Sequence, residues 1–161
     1  MALRQIRRSG DSVLRVQAEP VSRFNSGLHQ LLDDMNETMI AADGAGLAAP
    51  QIGISKRVIV ARDEEDNLFE LINPVLSVVQ GSIVEIEGCL SCPGIFGEVT
   101  RAEYVEVTGL DRDGNEVRYE AEGYLARVFQ HEIDHLDGVL FLDKAETLIT
   151  PEELEMLRNK D

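Results

Sequence analysis

Cysteine is scarce in this chain: there are two among 161 residues, Cys89 and Cys92. A disulfide framework needs more, so a reducing compartment is expected. Long apolar runs are missing as well, and none approaches the roughly 20 residues of a membrane-spanning helix. The basic start, Met1 to Arg8, lacks the apolar centre of a secretory signal, which makes a cytoplasmic protein the expectation. Positive charge is in short supply, with 15 Lys and Arg against 30 Asp and Glu, a formal charge of −15. That field repels phosphate backbones, arguing against nucleic acid as a partner and for a well-solvated surface. Repeats, low-complexity tracts and linkers are absent, so residues 1–161 are read as one domain with room for a core. Histidine is rare too: His29, His131 and His135 are the only three.

What is present has a normal globular balance, 43% hydrophobic and 28% charged. Leu28, Leu31, Leu32, Met35, Met39 and Ile40 recur at helical spacing and predict a one-faced helix over 25–42. His29 falls off that stripe and is read as solvated. The glycine-rich stretch 43–51 has no period. Strands are predicted over 58–61, 69–72, 76–79, 83–86 and 99–108, the last turning at Asp113-Gly114 into 117–121. A second helix over 123–137 ends at Gly138, and Thr150, Pro151 and Glu153 make a third helix start. This order predicts an α+β fold: mainly antiparallel sheets packed around a central helix, with N-terminal and C-terminal helices.

The central helix carries the strongest chemical signal, His131-Glu-Ile-Asp-His135. At ~100° per residue the two imidazoles stand about 40° apart, one turn above the other, and both reach one metal ion. Glu132 projects to the side, close enough to a metal-held water without being a ligand. Leu125, Phe129, Ile133 and Leu136 form one face of this helix, and Arg127, Gln130, Asp134 and Asp137 the opposite one.

A metal site needs a further protein ligand. A third His six residues beyond His135 would make a metzincin, but Phe141 stands there. A Glu on the next helix would make a thermolysin-like peptidase; Glu152, Glu153 and Glu155 lie at that separation, although acidic residues also suit a helix N-terminus. Cys89 is the remaining candidate, giving a CysHis2 set with an open position for water. Cys89 and Cys92 also have Cys-x-x-Cys spacing, but Pro93-Gly94 blocks the helix that a redox motif uses. Cys92 is then a small packing residue, or the fourth ligand of a closed structural site.

Three segments in order, Gly44-Ala-Gly-Leu-Ala-Ala-Pro-Gln51, Glu87-Gly-Cys-Leu-Ser91 and Gln130-His-Glu-Ile-Asp-His-Leu-Asp-Gly138, resemble the peptide deformylase family. The resemblance covers nearly the whole chain and looks like the shorter bacterial subclass. It implies hydrolysis of the formyl group from formyl-methionyl nascent peptides. Cys89, His131 and His135 then resemble the metal ligands, Glu132 the general base and acid, and Gln51 and the Leu90 N–H the oxyanion donors. Ala45, Gly46 and Arg101 fall where relatives contact peptide, and Leu125 and Val128 are candidates for the methionine pocket wall. The implied cofactor is one divalent ion, Fe2+ in the cell, with Zn2+, Ni2+ or Co2+ compatible in purified protein. A monomer with transient ribosome contact is expected. Ala45 departs from the bulkier residue usual between the two glycines, and Cys92 from a usual apolar one.

Overall fold

The computed structural model describes residues 2–159. An N-terminal strap and a 3-10 turn lead to α1 (Ser26–Ala41). Asn25 caps α1, accepting from the Leu28 N–H at 3.1 Å, which satisfies one of the helix's orphan donors. Leu28, Leu32, Met35 and Met39 of the predicted stripe are buried. His29, expected in solvent, is half-buried, its ring Nε2 2.8 Å from the Arg112 carbonyl.

Eight strands follow the helix. They are β1 (Gly46–Ala48), β2 (Val58–Arg62), β3 (Leu68–Gln80), β4 (Ile83–Cys89), β5 (Cys92–Arg101), β6 (Tyr104–Leu110), β7 (Glu116–Glu122) and, late in the chain, β8 (Thr147–Ile149). They form a five-stranded sheet, β1-β2-β3-β6-β7, and a three-stranded sheet, β4-β5-β8, with antiparallel ladders throughout. Between β7 and β8 come α2 (Gly123–Leu136) and the one-turn α3 (Phe141–Lys144); α4 (Pro151–Arg158) closes the fold. The α+β expectation holds.

Two strand expectations are revised. Segments 69–72 and 76–79 belong to one strand, β3, whose ladder is shifted between Ile72 and Val75. Pro74 has no N–H to give the ladder there, and Asn73 adopts φ 52° beside it. Conversely, 99–108 is not one strand: β5 ends at Arg101, β6 begins at Tyr104, and they lie in different sheets. The break is held from the helix. Gln130 accepts from the Ala102 N–H at 2.9 Å and donates to the Ala102 carbonyl at 2.9 Å, taking over both groups a ladder would have used.

Helix α2 lies against both sheets. Ala126, Phe129, Ile133 and Leu136 join the core over the five-stranded sheet, each large side chain contributing about 1.5–3 kcal/mol by leaving water. Its other, polar flank is covered as well. Arg127 and Gln130 are buried, and Arg127 donates to the Val99 carbonyl at 2.9 Å and the Ile83 carbonyl at 2.8 Å on the three-stranded sheet. The helix ends in a Schellman motif, as Gly138 led us to expect: the Val139 N–H reaches the Asp134 carbonyl at 3.0 Å, with Gly138 at φ 75°. No helix among the described residues is long and apolar enough to cross a membrane.

Candidate metal centre

β1 and β4 are edge strands of their respective sheets, and α2 runs beneath the gap between them. A cleft of about 880 Å³ opens there, lined by all three elements and by the β4–β5 turn. A second hollow, about 640 Å³ and lined by Asn73, Val75, Glu116 and Arg118 among others, holds none of the residues selected from the sequence.

At the base of the cleft the ligand atoms of Cys89, His131 and His135 all lie within 4.8 Å of one another. Helix periodicity supplies the two histidines, whose ring centroids are 5.0 Å apart. The cysteine comes from the last residue of β4, where the ladder register shifts between Glu87 and Cys89, the extra residues lying on β5, just before the two-residue turn. Its Sγ is 3.4 Å from His135 Nε2 and accepts the Ser91 N–H at 3.4 Å.

A cation binding here competes with protons at two of its three ligands. His131 Nδ1 meets Glu87 Oε1 at 2.8 Å, which fixes the tautomer and leaves Nε2 as a lone-pair donor. Burial pulls the His131 pKa down, but the Glu87 hydrogen bond and nearby carboxylates raise it further than burial lowers it. Burial, reinforced by His131 and Arg101, holds His135 well below the ordinary imidazole range, hence neutral, and its buried Nδ1 has no partner. Cys92, burial and the Glu132 charge push the Cys89 thiol up, so a cation arriving here must expel the thiol proton. One soft sulfur and two imidazoles at the base of the cleft fit a divalent transition ion.

Glu132 is 4% exposed, and its Oε1 has no hydrogen-bond partner. Burial pushes its carboxyl up to about 7, against the pull of His131. A glycine makes room for it: a Cβ on Gly46 would sit 2.7 Å from Glu132 Oε2 and 2.9 Å from Val128 Cγ1. Gln51 is held by the Ala48 N–H, which its Oε1 accepts at 2.9 Å. Its Nε2 is thereby turned to Ser91 Oγ at 3.1 Å and Cys89 Sγ at 3.6 Å. Leu90 occupies the turn after Cys89, and its N–H donates to no backbone carbonyl among the described residues.

The structure gathers Ala45, Gly46, Gln51, Cys89, Leu90, Val128, His131 and Glu132 on the cleft, with His135 completing the ligand triangle. Two expected peptide contacts lie elsewhere. Arg101 is 4% exposed, its guanidinium occupied by Glu87 at 2.8 and 2.9 Å and Asp134 at 2.5 Å, so it offers a peptide nothing. Leu125 packs on the five-stranded core instead of lining the cleft.

Glu87 is the residue that sequence reading passed over. It accepts from Arg101, Arg127 and His131 together. Alternation along β4 carried the signal, since a residue two before Cys89 faces the same side.

Residues 3–150 match the family described as polypeptide deformylase. The peptide deformylase of Caldicellulosiruptor bescii is 51% identical over 160 residues, 99% of this chain and 96% of that protein. That of Pelotomaculum thermopropionicum is 52% identical over 155 residues, covering 95% of this chain and 99% of the relative. The crystal structure of the Thermotoga maritima peptide deformylase superposes with TM-score 0.88 at 44% identity, over 91% of this chain and 100% of that one.

Proposed function

The chain belongs to the peptide deformylase family, and from that premise we propose how its residues divide the work of removing formyl groups from formyl-methionyl nascent peptides. The observation that carries the reading is the convergence of Cys89, His131 and His135 in a cleft that also holds Glu132 and Gln51. A structural site would need neither of the last two.

Cys89, His131 and His135 are the residues that hold one divalent ion. When bound, that ion acts as a Lewis acid and brings the pKa of water toward neutrality. Fe2+ is our proposal for the cell, with Zn2+, Ni2+ or Co2+ serving in purified protein. Glu132, buried with a free Oε1, takes the proton of the attacking water and returns it to the departing amine nitrogen. Gln51 Nε2, aimed by the Ala48 N–H, and the Leu90 N–H donate to the oxygen that gains charge as the formyl carbon becomes tetrahedral. The open edge of β1 at Ala45 and Gly46 pairs with the extended peptide backbone, and Val128 walls the methionine pocket. The products are formate and a free N-terminal amine.

Residues 1–161 act as one catalytic domain of the short bacterial subclass, cytoplasmic and monomeric, meeting the ribosome only transiently. Formate release from formyl-Met-Ala-Ser by anaerobically iron-loaded protein, beside Glu132→Ala, tests the assignment. Release by the wild type and its loss in the variant are expected. A fully metallated wild type that releases no formate would overturn it.

A further inference from the structure

The catalytic reading leaves Cys92 without a task, although it sits beside a ligand. Cys89 and Cys92 are Cα partners across the β4–β5 hairpin, separated only by the Leu90-Ser91 turn. Paired antiparallel residues lie about 4.5–5.5 Å apart at Cα, inside the roughly 4.4–6.8 Å that a disulfide spans. Directly opposed residues also project to one face of the hairpin. Both side chains belong to the small core cluster with Leu14, Val99, Leu140 and Phe141. Both also line the cleft, so a small oxidant reaching Cys89 arrives at a sulfur whose neighbour is a second thiol.

We propose that Cys89 and Cys92 form a modification site at which a peroxide drives an intramolecular disulfide that dismantles the metal centre. The inference rests on Cys89 being a metal ligand. The Cys89 sulfur attacks one peroxide oxygen, the O–O bond breaks, and Cys89 becomes a sulfenic acid with release of water. The Cys92 sulfur then attacks the Cys89 sulfur. The S–S bond forms as the S–O bond breaks, and the departing hydroxide leaves as water with the Cys92 proton. Two thiols have lost two electrons, and the peroxide has been reduced to two waters.

The product cannot coexist with a bound cation. In the reduced chain Cys89 Sγ faces His135 Nε2 at 3.4 Å, whereas the disulfide turns it along the hairpin toward Cys92. One of three ligands is withdrawn and its charge removed, so the ion leaves. Because Cys92 caps the sulfenic acid, the damage stops at a stage that thiols reverse. A chain with Ala at this position has no resolving sulfur and proceeds to irreversible acids.

The test uses the full chain, nickel-loaded, treated with hydrogen peroxide and then with dithiothreitol plus nickel. Intact mass, nickel content and a peptide map are read at each stage, beside Cys92→Ala and Cys92→Ser. The treated wild type is expected to lose about 2 Da, yield a linked 89–92 peptide, shed its nickel and recover both on reduction. The variants should instead gain about 16 Da per oxygen added and fail to rebind nickel after reduction. Thermal melts of both variants show that each is folded before treatment. Mass gain at Cys89 in the wild type, or nickel retained by a chain whose map shows the disulfide, overturns the proposal. A chain that binds no nickel before treatment instead sinks the metal assignment, while the mass shift still reports on the disulfide.

Discussion

Removing the Glu87 carboxylate is the perturbation that should reach farthest, because three buried donors converge on it. Arg101 approaches at 2.8 and 2.9 Å, Arg127 at 2.5 Å and His131 at 2.8 Å. Glu87→Ala leaves Arg101 and Arg127, at 4% and 8% exposure, with only Asp134 and backbone carbonyls to balance them. Taking one partner from a buried ion pair costs about 3–5 kcal/mol. For a chain of this length that lowers Tm by roughly 6–20 °C. The freed His131 ring should weaken cation binding about 10–100-fold.

Glu87→Gln keeps the shape and loses less on both counts. Burial pushes the Glu87 pKa up, but the hydrogen bonds from Arg101 and His131 outweigh it and hold the group well below the carboxylate range. A folded pKa below the unfolded one stabilises fully above the unfolded value, and the stabilisation drains away as pH falls toward the folded one. The Tm gap between wild type and Glu87→Gln should therefore narrow as pH drops from about 5 to 3. Calorimetry and chelator competition read the two effects. A Glu87→Ala chain melting within about 2 °C of wild type, with unchanged cation affinity, would refute the reasoning.

Gly46→Ala places a methyl 2.7 Å from Glu132 Oε2 between a paired strand and a packed helix. Because small misplacements of a catalytic group are costly, kcat should fall at least about 100-fold in the formate assay; a loss under threefold would contradict the packing argument. Gln51→Ala should lower kcat about 10²–10³-fold while elemental analysis still finds one cation per chain. Gln130→Ala strands the Ala102 N–H and carbonyl at the sheet-to-sheet crossing, at about 1–3 kcal/mol for each unpaired group, measurable by urea unfolding.

Local pattern made much of this molecule legible. The α1 stripe, the Asp113-Gly114 hairpin, the Gly138 stop and the paired histidines are short-range features, and the structure reproduces them. What stayed hidden depends on layers meeting. The opposite face that holds Arg127 and Gln130 gave no sign of its partner, because a polar run on a helix does not show that a second sheet will cover it. Strand propensity across 99–108 is unbroken, yet Gln130, distant in sequence, divides it between two sheets. Arg101 resembled a peptide-contact residue by position, and only the approach of Glu87 and Asp134 shows that its charge is spent internally. Cys89 reaches the histidines through a bulged hairpin that spacing alone does not reveal.

The most direct test of the central claim counts divalent ions per chain in the wild type, Glu132→Ala and Cys89→Ala, alongside formate release from formyl-Met-Ala-Ser. The account predicts one ion in the first two chains, none in the third, and formate from the wild type alone. A Cys89→Ala chain that keeps its ion and releases formate at the wild-type rate would contradict it.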